Sequence, residues 1–149
     1  MKHNVFLGLG SNLGDRRQTL CRAYERIEEL VGPIVAQSAF YESEPWGFVS
    51  DHAFLNSVVC CSTAYSPRAI LWATQQIERE LGRRQKSVAG IYHDRPVDID
   101  ILLYDRQRFV QPDLVIPHPQ MLKRDFVLRP LIEVFQRLSA SDSIHLYKT

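Results

Sequence analysis

Two carboxylates, Asp98 and Asp100, lie two positions apart in a run that is otherwise apolar and β-branched. Such a run predicts a buried strand, in which alternate side chains face opposite sides, so both carboxylates share one face, about 6.6 Å apart along the backbone. Neighbouring carboxylates repel each other, and burying either is unfavourable unless a cation is bound. Mg²⁺ prefers one or two carboxylates together with phosphate oxygens and water. The pair therefore predicts a metal–nucleotide site; the alternative is an edge strand with two solvent-exposed aspartates.

Basic side chains occur on both sides of this predicted strand. Arg95 lies just before it and carries a planar group suited to phosphate, and Arg83 lies in the same basic stretch. Further along, His118 lies between two prolines and is followed by Arg124. Such local clusters suit a small polyanion, although a solvated surface is the alternative for any single arginine. His118 is interpreted either as a phosphate contact or as the cap of a turn.

A predicted helix presents Gln75 and Glu78 three positions apart, so they share one helix face. Arg83 follows the end of that helix. A face of this composition can bind ribose, base or phosphate, but alone it is more often a solvated helix surface. The ligand-binding interpretation is favoured because the chain leads from this helix directly into the basic stretch and the aspartate strand.

Aromatic and amide side chains define a second candidate region. Trp46 follows Pro45, and Phe54 lies two positions before Asn56. Flat heterocycles are commonly bound by aromatic stacking and a few fixed hydrogen bonds, and an amide can donate and accept at once. The alternative is that Trp46 and Phe54 are ordinary anchors of the core. No local pattern indicates a covalent nucleophile.

Length and composition are those of a globular protein with one domain over residues 1–149. The formal net charge of +1 excludes a global field that would attract nucleic acid or an anionic membrane. Three cysteines without metal-type spacing predict free thiols in a reducing compartment. Neither a signal peptide nor an apolar run that could span a bilayer is recognised, so a cytoplasmic location is expected.

The pattern of apolar residues predicts an alternation of strands and helices. Strands are predicted over residues 4–9, 34–41, 54–64, 98–104 and 108–110, helices over 16–31, 67–81 and 125–138, polar loops over 42–53 and 83–96, and irregular structure over 112–119. The tail from residue 139 is expected to fray. The order of the main elements, βαββαβ, predicts an α+β, ferredoxin-like sandwich: an antiparallel sheet with helices on one side, and extra C-terminal elements.

The glycines near the N-terminus do not form a dinucleotide-binding fingerprint. After Gly8 and Gly10, the third glycine would have to be residue 13, which is Leu13. These glycines are therefore interpreted as a tight turn between the first strand and the first helix.

Taken together, these segments resemble the 6-hydroxymethyl-7,8-dihydropterin pyrophosphokinase family over nearly the whole chain. The resemblance is carried by residues 10–14 (GSNLG), 40–47 (FYESEPWG), 54–56 (FLN), 94–101 (DRPVDIDI) and 115–118 (VIPH), with Gln75, Glu78, Arg83, Met121, Arg124 and Phe126. The Arg-x-x-Asp-x-Asp element is the signature of that family.

The resemblance implies ATP-dependent transfer of a pyrophosphoryl group to the hydroxymethyl group of the pterin, with release of AMP, in folate biosynthesis. It implies two Mg²⁺ ions bound by Asp98 and Asp100. Implied catalytic residues are Arg95, Asp98, Asp100 and Arg124, and implied ATP contacts are Gln75, Glu78, Arg83, Arg95, Ile99, His118 and Arg124. The implied pterin pocket contains Ser43, Pro45, Trp46, Phe54, Asn56, Tyr92 and Phe126.

Two other functions stay open as alternatives. A ferredoxin-like regulatory module would bind a small ligand without catalysis. A metal-dependent phosphohydrolase would release phosphate without needing the pterin. The expected partners are small molecules only, ATP and the pterin, with no nucleic acid and no membrane, and we expect a monomer.

Overall fold

An antiparallel sheet forms the centre of the protein. The computed structural model describes residues 1–44, 52–82 and 96–148, with side chains as far as residue 140. Its sheet contains β1 (His3–Ser11), β2 (Ile34–Gln37), β3 (Tyr41–Ser43), β4 (Phe54–Thr63) and β5 (Asp98–Tyr104). The strand order is β2-β4-β1-β5, and β3 pairs with the other end of β4. The first strand, β1, is therefore an interior strand, whose neighbours are β4 and β5.

Helices connect and cover these strands. They are α1 (Arg16–Leu30), α2 (Pro67–Glu80) and α3 (Asp125–Lys148). After β5 come a hairpin of β6 (Phe109–Gln111) and β7 (Leu114–Ile116) and a short 3-10 helix, Met121–Lys123. Within the described ranges, no helix has both the length and the apolarity needed to cross a membrane.

Each face of the sheet has its own apolar core. On one face, Val5 and Leu7 of β1 belong to the core that includes Leu20 and Ile27 of α1 and Ile70 of α2. On the other face, the core members are Phe6, Val58, Cys60, Leu102, Leu131 and Val134, the last two from α3. Helices thus cover both faces, and the expectation of helices on one side holds only for α1 and α2.

Local sequence explains where α1 and α2 begin. The Asp15 side chain accepts a hydrogen bond from the Gln18 N–H at 3.1 Å, which caps α1. Gly14 just before it has φ +67°, a conformation that favours glycine. Ser66 caps α2 in the same way, at 3.3 Å from the Ala69 nitrogen, and Pro67 occupies the first helical turn.

The strand predicted over residues 34–41 is two strands, because the chain leaves the ladder at Ser38. The Ser38 N–H donates to the Val58 carbonyl at 2.9 Å, while its hydroxyl oxygen accepts the Val58 N–H at 3.0 Å. The next N–H, of Ala39, then turns to the Glu133 carboxylate of α3, at 3.0 and 3.2 Å. A serine side chain therefore takes the place of one backbone acceptor and bends this edge of the sheet.

Three other predicted boundaries are wrong. The turn predicted at Gly8 and Gly10 is part of β1, which extends to Ser11 because it is paired with β4 and β5 along that length. Part of the stretch expected to be irregular, 112–119, forms β7. The last helix does not stop at residue 138 but continues as α3 to Lys148, through the tail that was expected to fray.

Candidate functional site

An open cavity lies on the face of the sheet that carries α3. Strands β4, β1 and β5 form its floor, and residues leading into α3 form one wall. The cavity has about 620 Å³ of space, including its open mouth. Two rows of residues cross the floor, Asn56 with Gly10 and Asp98 in the first row and Val58 with Gly8 and Asp100 in the second. The site is thus built from the most extensively paired strands of the sheet.

Gly8 and Gly10 keep the middle of this floor free of side chains. A Cβ atom at Gly10 would lie 3.2 Å from Asn56 Oδ1 and 3.3 Å from Phe54 Cδ1. At Gly8 it would lie 3.3 Å from Leu102 Cδ1. Neither glycine is among the predicted site residues. Their spacing of two within an apolar strand is the signal that could have identified them, because interior strand glycines often mark close approach by a ligand.

Asp98 and Asp100 both face the cavity and are partly exposed, as their spacing predicts. Between them, Ile99 is 1% exposed and belongs to the opposite core. The described residues contain no group of three or more histidine, cysteine or acidic side chains that could hold a metal ion. Two carboxylates at an open cavity are instead the donor set that Mg²⁺ uses when phosphate oxygens and water complete its shell.

Glu78 fixes the backbone between the two aspartates. Its carboxylate is 2% exposed, and Oε2 accepts the Ile99 N–H at 2.7 Å. Glu78 comes from α2, whose apolar residues pack on the face of the sheet opposite the cavity. A buried hydrogen bond therefore anchors the strand segment that carries both acids.

His118 approaches Asp100 from the segment that follows β7. The backbone N–H of His118 donates to the Leu102 carbonyl at 3.0 Å, and this hydrogen bond joins the segment to β5. The Gln120 N–H donates to His118 Nδ1 at 3.2 Å, so Nδ1 is the acceptor and the proton of the neutral ring is on Nε2. Nε2 lies 4.0 Å from Asp100 Oδ2. The ring thus presents an N–H to the acidic side of the cavity.

Arg124 brings a positive charge to the cavity wall. The residue is 9% exposed, its guanidinium donates to the Gln120 side chain, and its Cζ lies 5.8 Å from the centre of the Phe126 ring. The Arg124 carbonyl accepts N–H groups of the first turn of α3, from Val127 at 3.0 Å and Leu128 at 2.9 Å. These contacts hold a planar cation beside two carboxylates, where a bound phosphate could pair with it.

Asn56, 3% exposed, has a fixed amide orientation. Its Nδ2 atom donates to the Tyr41 carbonyl at 3.0 Å and to Ser43 Oγ at 2.8 Å. A backbone carbonyl can only accept, so the amide nitrogen must face β3. The side-chain oxygen, Oδ1, therefore points towards Gly10 and the cavity. Such an oxygen can accept an N–H from a ligand.

The cavity brings together most of the predicted residues that the structure describes. Its lining includes Asp98, Asp100, His118 and Arg124 from the predicted phosphate end, and Ser43, Phe54, Asn56 and Phe126 from the predicted pterin pocket. Gln75, Glu78 and Ile99 do not line it. The Ile99 side chain is in the core, so only its main chain could contact a nucleotide. Pro45, Trp46, Arg83, Tyr92 and Arg95 lie outside the described residues.

Comparison with known proteins finds relatives that extend over most of the chain. Residues 6–136 match the 7,8-dihydro-6-hydroxymethylpterin-pyrophosphokinase (HPPK) family. The 2-amino-4-hydroxy-6-hydroxymethyldihydropteridine pyrophosphokinase of Porphyromonas gingivalis is 56% identical over 131 residues, which cover 87% of this chain and 89% of the relative. The enzyme of the same name from Aquifex aeolicus is 41% identical over 130 residues, covering 87% and 79%.

Solved structures with the same fold include Plasmodium falciparum HPPK-DHPS. The wild-type crystal structure with SDX-DHP has a TM-score of 0.71 at 14% identity, covering 86% of this chain and 40% of that one. The crystal structure of HPPK-DHPS in complex with substrates has a TM-score of 0.67 at 15% identity, covering 85% and 39%. This chain thus matches about two-fifths of these longer chains, and at such identities the likeness concerns the fold alone.

Proposed function

The chain belongs to the 7,8-dihydro-6-hydroxymethylpterin-pyrophosphokinase family, and from this premise we propose how its cavity performs the reaction. The enzyme transfers a pyrophosphoryl group from ATP to the hydroxymethyl group of 6-hydroxymethyl-7,8-dihydropterin and releases AMP, a step of folate biosynthesis. One observation carries the residue assignment: Asn56 and Asp98 are the two ends of one row across the cavity floor, with only Gly10 between them.

Asn56 is the residue that recognises the pterin ring. Both N–H bonds of its amide are directed to β3, so its oxygen accepts an N–H from the edge of the ring. Phe54 and Phe126 also line the cavity and supply aromatic surface for a flat heterocycle. Ser43 contributes through its hydrogen bond to Asn56. Pro45, Trp46 and Tyr92 stay proposed members of this pocket on the strength of the family resemblance.

Asp98 and Asp100 form the metal-binding end of the cavity. Their carboxylates face open space on one side of β5, and the preferred Mg²⁺ shell of one or two carboxylates with phosphate oxygens and water fits this donor set. We assign two Mg²⁺ ions to this end, as the resemblance implies. Mg²⁺ bound to these carboxylates would supply positive charge to offset that of the phosphates.

Arg124 and His118 are the proposed phosphate-binding groups among the described residues, the first as a cation and the second as an N–H donor. Arg124 is nearly buried at the wall, where it loses little additional hydration when it binds an anion. His118 directs its Nε2–H towards the acidic end. Gln75, Glu78, Arg83, Arg95 and Ile99 are further proposed nucleotide contacts, of which Ile99 would act through its main chain.

Positioning accounts for most of the catalysis. The hydroxymethyl oxygen must attack the β-phosphorus in line with the bond to the leaving AMP, and pyrophosphoryl transfer needs no covalent intermediate with the protein. The floor row brings the two substrates together, because Asn56 binds the ring at one end while Asp98 and Asp100 would hold the phosphate-binding Mg²⁺ ions at the other. Arg95 and Arg124 stabilise the charge that develops on the transferred group.

We also propose a ferredoxin-like classification, supported by the order β2-β4-β1-β5 with antiparallel pairs and helices α1 and α2 on one face. Residues 1–149 are proposed to act as one domain and as a monomer. The cysteines are free, with Cys60 and Cys61 buried, which supports a cytoplasmic location.

A single assay tests the proposal. Purified protein is incubated with ATP, Mg²⁺ and 6-hydroxymethyl-7,8-dihydropterin, and AMP and inorganic phosphate are measured. AMP that appears only when pterin and Mg²⁺ are both present is the expected result. Phosphate without a need for pterin would favour a phosphohydrolase, and ligand binding without AMP would favour a regulatory module.

A further inference from the structure

Glu133 of α3 accepts hydrogen bonds from three parts of the protein. Its carboxylate binds the Ala39 N–H at 3.0 and 3.2 Å and the Tyr41 hydroxyl at 2.7 Å. Arg137, one turn later in α3, donates to the same carboxylate through Nε at 2.8 Å. The Glu133 side chain is 18% exposed. One carboxylate thus ties α3 to the connection between β2 and β3 and to the first residue of β3.

The same carboxylate stays ionised. Burial acts to raise the pKa of Glu133, but hydrogen bonds from Tyr41, Ala39 and Arg137 hold it below its usual range. The hydrogen bond to Glu133 in turn raises the pKa of Tyr41, so its hydroxyl remains a donor. The link between Glu133 and Tyr41 is therefore a charge-assisted hydrogen bond at neutral pH.

Tyr41 is the cross-strand partner of Asn56. The two residues lie directly opposite in the pairing of β3 with β4, and the Tyr41 carbonyl accepts the Asn56 amide at 3.0 Å. Ser43, two residues later on β3, accepts the other N–H of the same amide. The position of β3 therefore decides where the Asn56 oxygen points. β3 is only three residues long, and the bend at Ser38 interrupts its continuity with β2.

We propose that Glu133 is a positioning residue for pterin recognition, acting through Tyr41 and β3 on the amide of Asn56. A three-residue edge strand has few backbone hydrogen bonds of its own, so an anchor from a second element limits its motion. When the anchor is lost, β3 shifts relative to β4, and the Asn56 oxygen loses its fixed orientation. The inference rests on the proposed role of Asn56 in binding the pterin.

A loss of affinity for the pterin but not for ATP would distinguish a positioning role of Glu133 from general damage to the fold. Glu133 does not line the cavity, and neither do Tyr41 and Arg137. A change at Glu133 should therefore weaken pterin binding while leaving ATP binding and the chemical step nearly unchanged. General damage to the fold would instead impair both substrates together.

Tyr41→Phe and Glu133→Gln are the test variants, and Glu80→Gln is the control. Glu80 is also a helical carboxylate bound to an arginine, since it accepts from Arg26 Nε at 2.7 Å and from Arg26 Nη2 at 2.9 Å. Its contact, however, joins α2 to α1 and does not involve β3. Steady-state AMP formation is measured with each substrate varied in turn. The expected result is a rise in the pterin KM of about five- to ten-fold in both test variants, with kcat and the ATP KM within about two-fold. Glu80→Gln should match the wild type.

A double-mutant cycle tests the route through Asn56. Pterin Kd is measured with an ATP analogue that has a methylene group between the α- and β-phosphorus atoms, so that inactive variants can be included. Tyr41→Phe should have less than about a two-fold effect once Asn56→Ala is present, because the residue it positions is gone.

The outcomes separate the inference from the proposed function. If the wild type forms no AMP, the proposed function itself fails. If the wild type is active but Tyr41→Phe and Glu133→Gln leave the pterin KM unchanged, the positioning role of Glu133 is overturned. Equal effects of Tyr41→Phe with and without Asn56→Ala would likewise overturn it, since Tyr41 would then act independently of Asn56.

Discussion

Glu78 Oε2 lies 2.7 Å from the backbone nitrogen of Ile99, at the midpoint between the two aspartates of the cavity. The contact joins α2 to the segment of β5 that carries the proposed metal ligands, Asp98 and Asp100. Because Glu78 is 2% exposed, removing its carboxylate would leave the buried Ile99 N–H without this acceptor. Stability and activity are therefore coupled at this contact.

Glu78→Ala should reduce the free energy of unfolding by about 1–3 kcal/mol, since a buried N–H loses its acceptor. It should also lower kcat, because the Asp98–Asp100 segment is no longer anchored. Glu78→Gln keeps an oxygen acceptor and should retain most of the stability. Urea unfolding and AMP formation measure the two effects. Wild-type stability in the alanine variant would contradict the anchoring role.

Asp98→Asn and Asp100→Asn should each lower turnover at saturating substrates by about 100-fold or more, while the proteins stay folded. The amide keeps the shape of the side chain but removes the charge that attracts a divalent cation. Asp113→Asn is the matched control, because Asp113 is an exposed carboxylate paired with Arg68 at 2.7 Å, away from the cavity. Activity close to the wild type in both Asp98 and Asp100 variants would exclude the assigned metal site.

Gly10→Ala should raise the pterin KM by about ten-fold, because its Cβ would lie 3.2 Å from the Asn56 oxygen and 3.3 Å from the Phe54 ring. Gly8→Ala is the matched comparison on the same strand. There the added Cβ meets the Leu102 side chain, at 3.3–3.5 Å, and neither Asn56 nor Phe54, so a smaller effect on the pterin KM is expected. The reverse order of effects would mean that the pterin does not lie over Gly10.

Asp105 gives the folded protein a pH-dependent contribution to stability. Burial acts to raise its pKa, but hydrogen bonds from the Asn4 N–H and from His3, both 2.7 Å, hold the pKa below its usual range. A carboxyl whose folded pKa is lowered stabilises the native state above its unfolded pKa, and this contribution is lost as the pH falls through the folded pKa. The wild type should therefore lose stability as the pH falls below about 4.

Asp105→Asn should remove that part of the pH dependence. Asparagine tolerates the left-handed conformation of residue 105, φ 49°, so the substitution should not strain the backbone. Urea midpoints of both proteins, compared between about pH 6 and pH 3, measure the difference. A pH dependence that is identical in the two proteins would show that Asp105 does not contribute.

Local patterns account for the parts of the site that lie within one element. The spacing of Asp98 and Asp100 predicts their common face, and the structure confirms it because residues 98–101 of β5 alternate as expected. Helix starts are equally local, as the caps at Asp15 and Ser66 show. The helices on both sides of the sheet follow less directly, because a pattern of elements does not say which face a C-terminal helix covers.

The contacts that orient the site join distant parts of the chain, and these are not visible in any local pattern. Tyr41 and Glu133 are separated by 92 residues, and the Asn56 amide is oriented by a strand that the sequence merges into a longer one. The prediction of a turn at Gly8 and Gly10 is wrong for a related reason. Glycine favours turns, and only pairing with two neighbouring strands keeps this segment extended.

The alternation along β5 has a consequence for how this enzyme can change over evolutionary time. Replacing an acidic side chain alters chemistry alone, because each points away from the aliphatic interior. Inserting or deleting a single amino acid between Asp98 and Ile101 would exchange the two sets, unless a bulge absorbed the change, as the register shift at Leu102 does further along β5. The length of this acidic segment is therefore constrained as well as its composition.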